Sequence, residues 1–224
     1  MPRATFRSGE DFDGGLPWTL AMAVLYYVAD PMCAWCWGFA PGLEEIERRT
    51  PVRYVMGGLA RDSDDPMPED MRTYVQNAWD AVEAATGAQF NREFWTRCAP
   101  RRSTYPACRA VLVADALAPG SGPSMFRRIQ TAYYLEARNP ADLGTLVELA
   151  AEQGLDATRF AADLDSTTTR ERLAEDLALR DRLGARSFPS LVWSSGAETR
   201  VVMSGWMPAK DVLARLEVAG LSSG

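Results

Sequence analysis

The sequence predicts an α/β fold in which one sheet is interrupted by a long, all-helical insertion. Three observations predict it. A strand–helix–strand unit occupies Ala23 to Met56. Helical periodicity then runs without a strand from Arg61 to Ala185. Strand-like runs return only afterwards, at Ser190-Leu191-Val192-Trp193 and Arg200-Val201-Val202-Met203. Neither end holds enough strands for a sheet of its own, so two domains in series do not fit. The expected division is a loose extension over 1–21, a first half of the sheet unit over 22–60, the insertion over 61–185 and a second half over 186–220.

Each element has its own justification. Ala23-Val24-Leu25-Tyr26-Tyr27-Val28 lacks polar alternation and stops at Asp30-Pro31, as a buried central strand would. Phe39, Leu43 and Ile46 recur at helical spacing while Glu44, Glu45, Glu47 and Arg48 fill the other face, which predicts a helix from near Cys33 to Thr50-Pro51. Val52 to Met56 reads as a second strand closed by Gly57-Gly58. Met71, Tyr74, Val75, Ala78, Trp79 and Val82 form the apolar series of a helix opened by Pro68 and acidic Glu69-Asp70. Further helices are expected at Ser103–Leu117, Ser124–Arg138, Asp142–Gln153, Asp156–Leu164 and Ser166–Leu183, several of them punctuated by Gly or Pro. The two late strands read as a hairpin around Ser195-Gly196, followed by a helix over Pro208–Ala219.

Composition narrows the chemistry. The 224 residues contain no histidine, which removes His general bases, Cys-His and Ser-His-Asp nucleophile pairs and His-ligated metals. Four cysteines remain: Cys33, Cys36, Cys98 and Cys108. A net charge of −6 argues against a nucleic-acid partner, which usually meets a basic face. No run of about 18 uncharged apolar residues predicts a membrane span. The apolar stretch from Leu16 to Ala29 follows Glu10, Asp11 and Asp13 rather than a basic region, so it does not read as a secretory signal. A cytoplasmic location is therefore expected, where close cysteine pairs are more often catalytic or metal-binding than structural.

Cys33-Ala34-Trp35-Cys36 lies between a buried strand and a helix start, the context in which CxxC reads as a redox motif. A sulfur there meets unpaired backbone N–H groups and the positive end of the helix dipole, both of which stabilise a thiolate. Cys33 is expected as the exposed nucleophile and Cys36 as the more buried resolving thiol. Two bland alternatives stand beside this: half of a zinc site, whose other ligands would be Cys98, Cys108 or carboxylates, and an accidental buried pair. Cys108 reads by default as a small buried hydrophobe, and a second disulfide or relay with Cys98 stays open. Arg97, Arg101, Arg102 and Arg109 form either a solvated face or a positive border to the cleft. Met32, Trp35, Trp37 and Phe39 are candidates for an apolar rim around the sulfurs, with Trp37 and Phe39 equally readable as core.

Downstream, Phe188-Pro189 stands at the mouth of a strand. With Cys33-Ala34-Trp35-Cys36 it resembles the DsbA family of the thioredoxin superfamily. The stretches Asp30 to Phe39 (DPMCAWCWGF) and Ser103 to Ala110 (STYPACRA) look like a bacterial subgroup usually described as predicted protein-disulfide isomerases. The resemblance covers about Ala23 to Ala219. It implies a thioredoxin fold with a helical insertion, a nucleophile at Cys33, resolution by Cys36, and a cis-proline at Pro189 beside the sulfurs. Trp35, Met32, Phe188 and Pro189 would then contact substrate, Phe188 through its backbone. The implied partners are protein or small-molecule thiols and disulfides. No resident cofactor or metal is implied, and glutathione is the candidate redox partner. The histidine that strongly oxidising members carry between the cysteines is missing here, so a more reducing or isomerase-like poise is expected. The resemblance also admits a glutathione-dependent reaction of the kappa-class transferase or 2-hydroxychromene-2-carboxylate isomerase type, whose members usually lack the paired cysteines. Oligomeric state is left open.

Overall fold

A computed structural model describes residues 23–195 and 198–218. The extension expected over 1–21, Gly196 at the hairpin tip and Ala219 at the end of the last helix lie outside those residues. The chain runs β1 (Val24–Ala29), α1 (Ala34–Glu47) and β2 (Val52–Met56) before entering the insertion. The insertion comprises α2 (Glu69–Thr86), α3 (Phe94–Arg97), α4 (Tyr105–Leu117), α5 (Gly122–Tyr134), α6 (Leu143–Glu152), α7 (Ala157–Leu164) and α8 (Thr167–Arg182). It returns through β3 (Ser190–Ser195), β4 (Glu198–Ser204) and α9 (Ala209–Val218).

The strands form one mixed sheet in the order β2-β1-β3-β4. β1 pairs parallel with β2 and antiparallel with β3, and β3 pairs antiparallel with β4 across a register shift between Leu191 and Val192. The two halves of the chain thus complete one sheet, with the helical insertion between β2 and β3. Both faces of β1 are covered, which explains its missing polar alternation. Leu25, Tyr27 and Ala29 enter the main core, while Val28 joins Val55, Val192, Leu183 and Ala185 in a smaller cluster.

α1 buries Cys36, Phe39, Leu43 and Ile46, the stripe that the spacing predicts. Its solvent side tolerates Pro41 inside the helix. In α2 the buried stripe is narrower than the sequence suggests: Val75, Trp79 and Val82 face inward, whereas Tyr74 is 65% exposed. Trp79 anchors an aromatic cluster with Phe90, Phe94, Trp95, Tyr133 and Tyr134. The four-residue helix α3 was not expected, because so short a segment shows no period. Local capping fixes the later helices. The Asp156 carboxylate accepts from the N–H groups of Thr158 and Arg159, and the Ser166 hydroxyl accepts from that of Thr169.

Candidate active site

Sheet register brings three loops to one end of the molecule. Ala29 pairs with Met56 and Val28 with Ser190, so the segments leaving β1 and β2 and the segment entering β3 lie side by side. The first carries Met32 and Cys33, the second begins at Gly57, and the third carries Phe188 and Pro189.

Cys33 is the N-cap of α1. Its backbone is extended (φ −86°, ψ 114°) and its sulfur accepts the Cys36 N–H at 3.2 Å. A sulfur in the place of a capping oxygen can thus be solvated by the helix's own backbone. Both sulfurs are thiols. Contrary to the expectation of an exposed nucleophile, Cys33 is only 5% exposed, and Cys36 is 1% exposed. The reason is that the loop before Cys33 folds inward. Burial, reinforced by the neighbouring Cys33 sulfur, pushes the Cys36 thiol well above the ordinary cysteine range.

Asp30 directs that inward fold, and it was legible in the sequence only as a strand terminator. Its carboxylate is fully buried. Oδ1 accepts the Met32 N–H at 2.8 Å; Oδ2 accepts the Leu59 N–H at 2.7 Å, the Thr104 hydroxyl at 2.6 Å and the Cys108 thiol at 3.5 Å. The Asp30 carbonyl accepts the Cys33 N–H at 3.0 Å. Burial raises the carboxyl above the usual value, and the donors from Thr104, Leu59 and Met32 oppose that rise. Thr104 in turn accepts the Ala60 N–H at 3.0 Å. One buried knot therefore ties the loops after β1 and β2 to the start of α4.

The peptide bond between Phe188 and Pro189 is cis. The Pro189 carbonyl accepts the Gly205 N–H at 2.9 Å, and the Ser190 hydroxyl donates to the Ser187 carbonyl at 2.6 Å. Among the described residues no group hydrogen-bonds the main chain of Phe188 itself. The Phe188 ring packs on Gly57 so closely that a Cβ there would lie 2.5 Å from it. Met32 is buried, and half-buried Trp35 sits with its ring centroid 5.9 Å from that of Trp206, a partner with no local sequence signal.

The wider rim resolves readings that the sequence leaves open. Phe39 is core. Trp37 stacks on Tyr134 at 5.6 Å and donates its indole N–H to the Gln89 carbonyl at 3.0 Å. Cys98 and Cys108 are separate free thiols: Cys98 donates to the Ala137 carbonyl at 3.1 Å, and Cys108 is buried against Asp30. Three of the four arginines are drawn into ion pairs. Arg97 meets Glu93, Arg101 meets Asp142, and buried Arg109 bridges Asp62 and Asp165. Among the described residues no three Cys, Asp or Glu side chains converge as metal ligands.

The thioredoxin family profile matches residues 26–209, from inside β1 to the start of α9. This chain belongs to the thioredoxin family. Within it the architecture is DsbA-like. The fold matches a candidate protein disulfide isomerase from Nitrosomonas europaea with a TM-score of 0.78 and 29% identity, over 88% of this chain and 96% of that one. It also matches the cytosolic disulfide reductase DsbM from Pseudomonas aeruginosa, TM-score 0.71 and 31% identity, over 88% of this chain and 98% of that one. DsbM has also been solved with GSH, and that form matches with a TM-score of 0.70. Among curated sequences, the ClpXP adapter protein SpxH from Bacillus subtilis is 22% identical over 75% of this chain and 57% of its own length. The thioredoxin-family chain described here thus spans little more than half of the curated relatives it matches. Among the described residues no helix is long and apolar enough to cross a membrane.

Proposed function

We propose that this chain is a thiol–disulfide oxidoreductase acting in the reducing direction on glutathione-type or protein disulfides. The observation that carries this reading is the Cys33 sulfur at the N-cap of α1, facing the Cys36 N–H with the Cys36 thiol buried behind it. In this reading Cys33 attacks a disulfide sulfur, one half of the substrate leaves as a thiol, and a mixed disulfide forms at Cys33. Cys36 then attacks the Cys33 sulfur and releases the second half. Phe188 and Pro189 lie beside the loop that carries Cys33, and the Phe188 backbone supplies hydrogen bonds to an extended substrate. Met32 and Trp35 supply apolar contact.

The likeness to DsbM, a cytosolic disulfide reductase also solved with GSH, supports a reducing direction, glutathione as a partner and a cytoplasmic location. The paired cysteines favour exchange over a glutathione-dependent transferase or isomerase. The test is turnover of glutathione disulfide and of insulin by wild type and by Cys33→Ser. Wild type turns over and Cys33→Ser is inactive; full activity of Cys33→Ser would end the proposal.

A further inference from the structure

Tyr27 lies on β1 with its ring 6.4 Å from Phe39, 5.2 Å from Tyr54 and 6.1 Å from Phe126. The residue is entirely shielded, and among the described residues its hydroxyl has no well-formed hydrogen bond. A buried hydroxyl without a partner is less favourable than a phenylalanine filling the same space. Packing therefore accounts for the ring and leaves the oxygen unexplained.

The oxygen's surroundings explain it. Phe39 follows Cys36 by one turn on the buried face of α1, so the Tyr27 side chain lies along the part of α1 that carries the resolving thiol. Burial raises the Tyr27 hydroxyl most, followed by the charges that Cys36, Cys33 and Tyr54 from β2 would carry beside it. Cys33 on its own helix and the Asp30 carboxylate on the preceding loop raise the Cys36 thiol, the Asp30 backbone N–H lowers it, and both sulfurs in turn raise Tyr134 from α5. None of these is a cation. Apart from the Asp30 backbone N–H, a Cys36 thiolate would find little positive charge among these groups.

We propose that the Tyr27 hydroxyl is the hydrogen-bond donor for the Cys36 thiolate as it forms during resolution of the mixed disulfide at Cys33. This rests on the exchange chemistry proposed above. In the resting dithiol both groups are neutral, and the Tyr27 hydroxyl makes no full hydrogen bond to the thiol. In the resolving step Cys36 loses its proton and its sulfur attacks the Cys33 sulfur. The Cys33–Cys36 bond forms as the bond from Cys33 to the substrate sulfur breaks. The departing thiolate takes up the proton that Cys36 gave up, so the protein dithiol is oxidised by two electrons and the substrate disulfide is reduced. Tyr27 keeps its proton throughout; burial holds its hydroxyl well above the ordinary tyrosine range. The contact then becomes charge-assisted in a dry site, where such bonds are stronger.

One substitution separates this role from packing, because Tyr27→Phe removes only the oxygen. The melting temperature is expected to rise by roughly 2–4 °C as an unpartnered buried hydroxyl is lost. Alkylation of Cys33 by iodoacetamide at neutral pH stays within about twofold of wild type. Resolution of a preformed Cys33–glutathione mixed disulfide slows by about 10- to 100-fold, the worth of one hydrogen bond to a charged group. Its rate profile between pH 7 and 10 moves to higher pH by about one unit or more. Resolution at the wild-type rate with an unmoved profile overturns the proposal, and so does a lowered melting temperature, which would assign the hydroxyl a structural bond. A wild type that fails to resolve the adduct at all removes the exchange reading and this proposal together, and so is told apart from failure of Tyr27 alone.

Discussion

The Thr104 hydroxyl donates a 2.6 Å hydrogen bond to the carboxylate of Asp30, across 74 residues of sequence. That contact fastens the helical insertion to the loop leading into Cys33. Thr104→Ala would strip Asp30 of one donor and leave the Ala60 N–H without its acceptor. A loss of about 1–3 kcal/mol is expected for orphaning buried groups. Guanidinium denaturation checks it, and a loss below about 0.5 kcal/mol would mean that the knot is not tight.

Asp30 also sets a pH dependence. Its carboxyl is raised above the ordinary value of 3.8 in the folded protein, chiefly by burial. The folded state therefore holds this proton where the unfolded state has released it. The stability linked to it is fully present below pH 3.8 and is lost as pH rises through the raised folded value. Asp176, whose Oδ2 accepts the Met56 N–H at 2.8 Å, is shifted in the same direction by burial. Denaturation midpoints measured from pH 4 upward should fall less steeply in Asp30→Asn or Asp176→Asn than in wild type. Parallel curves would show that neither carboxyl is shifted.

Gly57 is the place where a single methyl group should disturb the cleft. A Cβ at this position would lie 2.5 Å from the Phe188 ring, too close for that ring to stay. Gly57→Ala is expected to destabilise by about 1–3 kcal/mol through overpacking. It should impair turnover more than alkylation of Cys33, because Phe188 moves and the sulfur does not. Equal losses in both assays would place the damage elsewhere.

The poise of the pair follows from what surrounds Cys33. A strongly oxidising pair near −120 mV has a reduced form stabilised by its site. At Cys33 the hydrogen bond to the sulfur comes from the Cys36 N–H, without help from histidine. A potential more negative than about −200 mV is expected. Equilibration with glutathione buffers measures it, and a value close to −120 mV would refute the reducing direction.

The sequence made much of this legible because the relevant signals are local. Spacing of Phe39, Leu43 and Ile46 located α1, the β-branched and aromatic run located β1, and CxxC marked the junction between them. The long stretch without strands exposed the insertion. What escaped depends on distant partners. Nothing near Asp30 announces that Thr104 and Cys108 will meet it, and nothing near Trp35 announces Trp206. Tyr27 reads as one more aromatic in a strand until its oxygen proves to have no ordinary partner. Tyr74 misled in the opposite direction, since an apolar series at helical spacing can be wider than the face its neighbours cover.

The central proposal is that Cys33 takes the substrate sulfur and Cys36 releases it. Incubating Cys36→Ser with glutathione disulfide and mapping the adduct by peptide mass spectrometry tests this most directly. A stable glutathionyl group on Cys33, absent from wild type after the same incubation, is the expected result. No adduct on Cys33, or one that Cys36→Ser clears as fast as wild type, would contradict it.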